Sequence, residues 1–251
     1  MTHSATTISF SEWHKLPLYA RIAFVARCAG RLQPLYSHYC PELPEKYTSA
    51  VEKAISLLEN ITAECDVDIP RCAAYTTAAK LAAGAAKPDS PAAAVATIAV
   101  AGLRLAGNPF SQAELAGFLE FLLQTIQKAV QPIGAQAWTW KAMYRDLTLL
   151  KELSRYLQWT DDTPVSVKML GPLWPEGEPE GWPIHEDASA MSELIFDLEV
   201  PEGVSEQEVL ERVRELYELA NDLHKSFGGS GLTIKELTIT SEAPNSVEVE
   251  S

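Results

Sequence analysis

The chain has 251 residues, 47% of them hydrophobic, and a formal net charge of −14. That apolar fraction suffices for a buried core, and the length suits one large domain or two ordinary ones. No run approaches the ~20 apolar residues of a membrane span, and the acidic balance argues against nucleic acid and anionic membranes as partners. The charge is uneven: residues 1–175 hold 16 Lys+Arg against 15 Asp+Glu, whereas residues 176–251 hold 4 against 19. Residues 1–11 are polar and lack the basic start and apolar centre of a secretory signal, so a cytoplasmic protein is expected.

Residues 1–10 read as a lead-in and 11–15 as a short helical turn. From Pro17, which suits a first helical turn, Leu18, Ile22, Val25, Ala26, Ala29 and Leu32 form one apolar stripe at helical spacing. Arg21, Arg27 and Arg31 are left to the other faces. Arg27 and Arg31, four apart, are neighbours and read either as a solvated face or as an anion-binding pair. Pro34 bends or ends this helix. The next helix spans about 44–64, with Tyr47, Val51, Ala54, Ile55, Leu58 and Ile61 facing inward.

Two alanine-rich segments follow, 71–86 and 91–106, separated by Lys87-Pro88-Asp89-Ser90. Alanine favours helix and has almost no side chain, so two such helices can approach closely. This pair is expected to form the centre of a helical bundle. Ser90 and Pro91 occupy N-cap and first-turn positions. Ser111 and Glu114 spell a capping box, with Phe110 and Leu115 placed as a hydrophobic staple. That helix carries Leu115, Phe118, Leu119, Leu122, Ile126 and Val130 until Pro132-Ile133-Gly134 breaks it. A last long helix, about 135–158, carries Trp138, Ala142, Leu149, Leu153 and Tyr156. Trp138, Trp140 and Tyr144 read as core or, with Arg145, as the lining of a ligand pocket in the bundle.

Residues 159–192 are rich in proline, glycine and acid and read as a linker, in which Val165–Leu170 has strand character. Trp174 and Trp182 are unexpected in a free linker and are candidates to pin it to a domain. Residues 193–200 then alternate, with Leu194, Phe196, Leu198 and Val200 on one face. A second capping box at Ser205–Glu208 opens a helix running to about Phe227. Residues 232–240 alternate again through Ile234, with a slip near Glu236 that marks a bulge. One helix and two strands are too small to stand alone. Pairing with a partner or a second copy is expected, and Phe196 and Ile234 are candidate contacts.

The expected architecture is therefore mainly α: a helical bundle (11–158), a linker (159–192) and an acidic strand–helix–strand module (193–241). Phosphate-cradling loops and zinc spacings are absent from the sequence. Gly228-Gly229-Ser230-Gly231 lacks the last glycine of a nucleophile elbow and reads as a helix stop. Cys28, Cys40, Cys65 and Cys72 form no CxxC pair and read as core thiols. No catalytic residue, metal or cofactor is assigned.

The phrase Arg21-Ile-Ala-Phe-Val-Ala-Arg-Cys-Ala-Gly-Arg-Leu-Gln-Pro-Leu and the alanine helices after it make residues 16–106 resemble alanine-rich helical proteins of bacterial toxin–immunity loci. Residues 193–241, through Leu-Glu-Val-Pro-Glu-Gly-Val-Ser and Phe-Gly-Gly-Ser-Gly-Leu, resemble small C-terminal effector-associated modules of bacterial conflict systems. These resemblances imply a non-enzymatic protein-binding role, with self-association through the C-terminal module a further option. The alternative is an enzyme or small-molecule sensor using the bundle pocket.

Overall fold

The computed structural model describes residues 10–108, 110–183, 193–199 and 233–240, together with positions 205, 207, 211, 214 and 218. The chain divides into two compact units, 1–186 and 187–251. The first is a helical bundle: α1 (Phe10–Trp13), α2 (Leu18–Leu32), α3 (Pro34–Tyr39), α4 (Glu45–Glu64), α5 (Ile69–Ala85), α6 (Pro91–Gly107), α7 (Gln112–Val130) and α8 (Gln136–Tyr156). Among the described residues no helix is long and apolar enough to cross a membrane.

The hub is α6, which packs against α2, α3, α4, α5 and α7. Its Val95, Ile98, Leu103 and Leu105 point to different sides and are all buried. Close approach is secured at Gly102, where an added Cβ would lie 2.6 Å from Leu58 Cδ1 and 3.1 Å from Val25 Cγ1. The second central helix is α2, buried on nearly every side. This corrects the expectation that the two alanine helices share the centre. Helix α5 lies at the edge, and only Cys72, Ala79 and Ala82 of it are buried. The Tyr36 hydroxyl donates to the Ala82 carbonyl at 2.9 Å, fixing α5 to α3 from its inner side.

The helix starts follow side-chain chemistry. Asp68 accepts from the Arg71 N–H at 2.9 Å and Ser90 from the Ala93 N–H at 3.2 Å. Ser111 and Glu114 close the reciprocal capping box. The Phe110 ring lies edge-on to Phe118, and Phe118 stacks on the buried Trp13. Pro17 gives α2 no side-chain cap of its own. A distant residue supplies one: Asp161 accepts the Leu18 N–H at 2.6 Å, placing a carboxylate at the positive end of the helix.

The passage read as a linker differs in its described part, 159–183. It belongs to the first unit and is laid down as a strap on the helices. The Val165 N–H donates to the Thr62 carbonyl at 2.6 Å, and Val165, Leu170, Trp174 and Trp182 are buried. Residues 167–170 form a 3-10 turn, not the brief strand that the alternation hinted at. Two indoles and two aliphatic anchors outweigh the proline, glycine and acid that make the passage look solvated. The rest of it, 184–192, lies outside the described residues.

In the second unit the described backbone contains β1 (Glu193–Glu199) and β2 (Thr233–Thr240), paired in parallel. Leu194 faces Ile234 and Phe196 faces Leu237. The register shifts between Leu194 and Ile195, so that Lys235 is passed over. Gln207, Glu211, Arg214 and Glu218 carry helical backbone and are exposed. The rest of the second capping box, the glycine run at 228–231 and the acidic end lie outside the described residues.

Candidate functional site

Helix α2 presents Arg27 and Arg31 one turn apart, and α8 presents Asp146 to both. Arg27 Nε donates to Asp146 Oδ2 at 3.1 Å and Arg31 Nη2 to the same oxygen at 2.5 Å. The three side chains are 2%, 1% and 0% exposed. The solvated face expected for Arg27 and Arg31 is therefore replaced by a buried ion cluster, because α2 has no solvent side on which to leave them. The remaining donors point at the strap. Arg27 Nη1 and Nη2 each donate at 2.8 Å, to the Gly171 and Pro172 carbonyls. Arg31 Nε donates to the Leu173 carbonyl at 2.6 Å. Its guanidinium lies 5.9 Å from the centre of the Trp174 ring, within cation–π range.

Burial acts to raise the Asp146 carboxyl, but Arg27 and Arg31 outweigh it and hold the group below its ordinary value. Burial pushes the neighbouring Arg145 down to about 10; Asp146 opposes this and the other two arginines reinforce it. Arg145 thus stays charged at neutral pH. Glu59, nearby, is raised by burial, with Arg27 and Lys168 acting the other way. Apart from Arg31 Nη1, the donors of Arg27 and Arg31 meet strap carbonyls and Asp146 within the fold, so the cluster fastens residues 171–174 to α2 and α8. Asp146 was missed in the sequence, yet it stands four residues after Ala142 and three before Leu149, at a core position of the α8 stripe.

The aromatic candidates do not converge. Trp140 and Tyr144, four apart on α8, share one side and are half-buried, while Trp138 is 40% exposed on another. Arg145 is buried beside the ion cluster. Phe196 and Ile234 are described by backbone alone and are not partners: Ile234 pairs with Leu194 and Phe196 with Leu237, with the Ile195–Glu236 pair between. The cysteine thiols are all raised by burial, Cys28 to about 12, which disfavours the reactive thiolate. Among the described residues no group of His, Cys, Asp or Glu converges as a metal site.

The clearest surface feature is the outer side of α5. Ile69, Ala73, Thr77, Lys80, Leu81 and Gly84 recur at spacings of one helical face and are exposed. Leu81 is 64% and Ile69 53% exposed. Thr77 turns its hydroxyl back to the Ala73 carbonyl at 2.9 Å. Helix α5 therefore exposes two large apolar side chains, among Thr77 and Lys80, opposite its packed side, whereas a surface helix ordinarily turns a polar face outward. Composition and spacing did not single this face out; the signal lay in Ile69 and Leu81, which fall outside the stripe formed by Cys72, Ala79 and Ala82.

In comparison with known proteins, the chain matches no family model, no curated protein and no solved structure.

Proposed function

We propose that this chain is a non-enzymatic, protein-binding component of a bacterial defence or toxin–immunity system, its helical domain and its acidic C-terminal module binding separate partners. The observation that carries this reading is the outer face of α5, where Ile69 and Leu81 stand exposed opposite the packed side of the helix. Large apolar side chains left in water on the outer side of a helix are candidate anchors for a partner.

The second partner belongs to residues 193–241, taken as a strand–helix–strand module. A parallel pair requires a crossover connection, and two strands with one helix bury too little to be stable unaided. A partner strand, or a second copy of the module, supplies the missing surface, with Phe196 and Ile234 among the contacts. In this scheme apolar anchors give affinity, and the acidic surroundings set association rate and selectivity.

The test uses the full chain as bait for proteins from cells that carry its gene. The expected result is one discrete protein retained at low salt. That protein should arrest growth when expressed alone and cease to do so when this chain is co-expressed. A blank, or a retained protein that is harmless alone, overturns the reading.

A further inference from the structure

The outer face of α5 has a charge sense as well as an apolar one. Along Ile69–Ala85 the helix carries Arg71 and Lys80, and the one carboxylate adjoining it, Asp68, caps its first turn. Lys80 lies within the exposed face, beside Leu81. Arg71 is exposed at its flank, with its guanidinium 5.8 Å from the centre of the Tyr75 ring. Between the anchors Ile69 and Leu81 the face holds the small side chains Ala73 and Thr77 together with the cation of Lys80, and beyond them Gly84, where an added Cβ meets nothing within 4 Å. Small residues between two larger ones form a shallow groove into which a second helix can pack at ~8–10 Å between axes. The anchors are separated by twelve residues of helix, or ~18 Å, so the matching element is a helix of at least about three turns.

We propose that this face docks an amphipathic helix of the partner protein, with an apolar stripe and glutamate or aspartate along its flanks. The proposal rests on the protein-binding reading above and narrows it to one surface and one chemistry. A second copy of α5 is the poorer fit. It would bring the same two cations against a single carboxylate, Asp68, which is already engaged as the N-cap of α5.

The experiment titrates the full chain with helix-forming peptides of about 18 residues. All share one leucine stripe and differ only in carrying Glu, Gln or Lys along its flanks. The Glu peptide is expected to bind about tenfold or more tightly than the Lys peptide, and to weaken with added salt. Because Gly84 faces open space, Gly84→Glu and Gly84→Lys add similar bulk with opposite charge and leave the fold intact. Gly84→Glu should weaken the Glu peptide at least about tenfold and Gly84→Lys should not. Leu81→Glu should abolish binding. Equal binding of all three peptides, or none by any at millimolar concentration, overturns the acidic helix. So does a dimer of the full chain that Leu81→Glu dissolves, which would assign the face to a second copy. A protein captured from cells with equal yield by the full chain and by Leu81→Glu overturns this face while leaving the broader binding reading standing.

Discussion

Asp146 is a carboxylate placed where the helix pattern calls for an aliphatic residue, and its cost is met by two arginines. Replacing it by asparagine leaves Arg27 and Arg31 buried without their counter-charge, a change of about 3–5 kcal/mol in comparable buried pairs. Chemical denaturation at neutral pH should show a loss of that order for Asp146→Asn. The pH dependence follows from the direction of the shift. The folded-state value of Asp146 lies below the unfolded one, so its contribution is complete above about pH 4 and fades as pH falls through the folded value. The gap between wild type and Asp146→Asn should therefore narrow in acid. Glu59 runs the opposite way: its raised value favours the folded state at low pH, and that advantage is lost as pH rises through the folded value. In Glu59→Gln the wild-type gain on acidification should shrink. An acid profile unchanged in both variants would mean that the cluster is not coupled to folding as described. Periodicity gave α2 a single apolar stripe and left Arg27 and Arg31 outside it. That pattern holds only for a helix with one buried side, and α2 is enclosed by α4, α6, α8 and the strap.

At the scale of elements, the two alanine helices show why composition located the bundle but not its centre. Alanine is apolar enough for a core and small enough to cost little in water, so α5 and α6 read alike. What separates them is the larger residues: α6 spreads the buried Val95, Val100 and Leu105 around its circumference, whereas Ile69 and Leu81 of α5 point outward. The glycines make the same distinction testable. Gly102→Ala places a methyl against Leu58 and Val25, both fully buried, and should cost about 1–3 kcal/mol through overpacking. Gly84→Ala meets no atom and removes unfolded-state backbone freedom at a residue in the last turn of α5, so it should gain roughly 0.4–1 kcal/mol. Thermal unfolding of the two variants should shift in opposite directions. The strap has its own sensitive point at Gly171, whose φ of 71° and ψ of −161° suit glycine alone. Gly171→Ala should cost about 1–3 kcal/mol, and limited proteolysis should then cut within residues 171–183 before the helices.

For the whole molecule the decisive boundary is the one between residues 186 and 187, not the one at 158 that the change in composition marks. Proline, glycine and glutamate at 175–183 carry the signature of a spacer, and only Trp174 and Trp182 argued otherwise in the sequence. Their rings meet at 4.8 Å, and Trp174 lies over Arg31. Cutting at 158 would remove the Gly171, Pro172 and Leu173 carbonyls from the arginines, Asp161 from the start of α2, and Val165 from Thr62. It would also open the apolar surface beneath both indoles. Hydrogen bonds to charged groups contribute about 1.5–3 kcal/mol each, and buried charged donors without acceptors cost more. The combined loss is comparable with the ~5–15 kcal/mol that separates a folded domain from its unfolded chain. A truncated protein of residues 1–186 should therefore unfold in one cooperative transition, whereas residues 1–158 should melt far lower or lose near-ultraviolet dichroism while keeping helix content. Equal melting temperatures for the two would show that the strap is a passenger on the bundle and that the arginine–aspartate cluster stands without it.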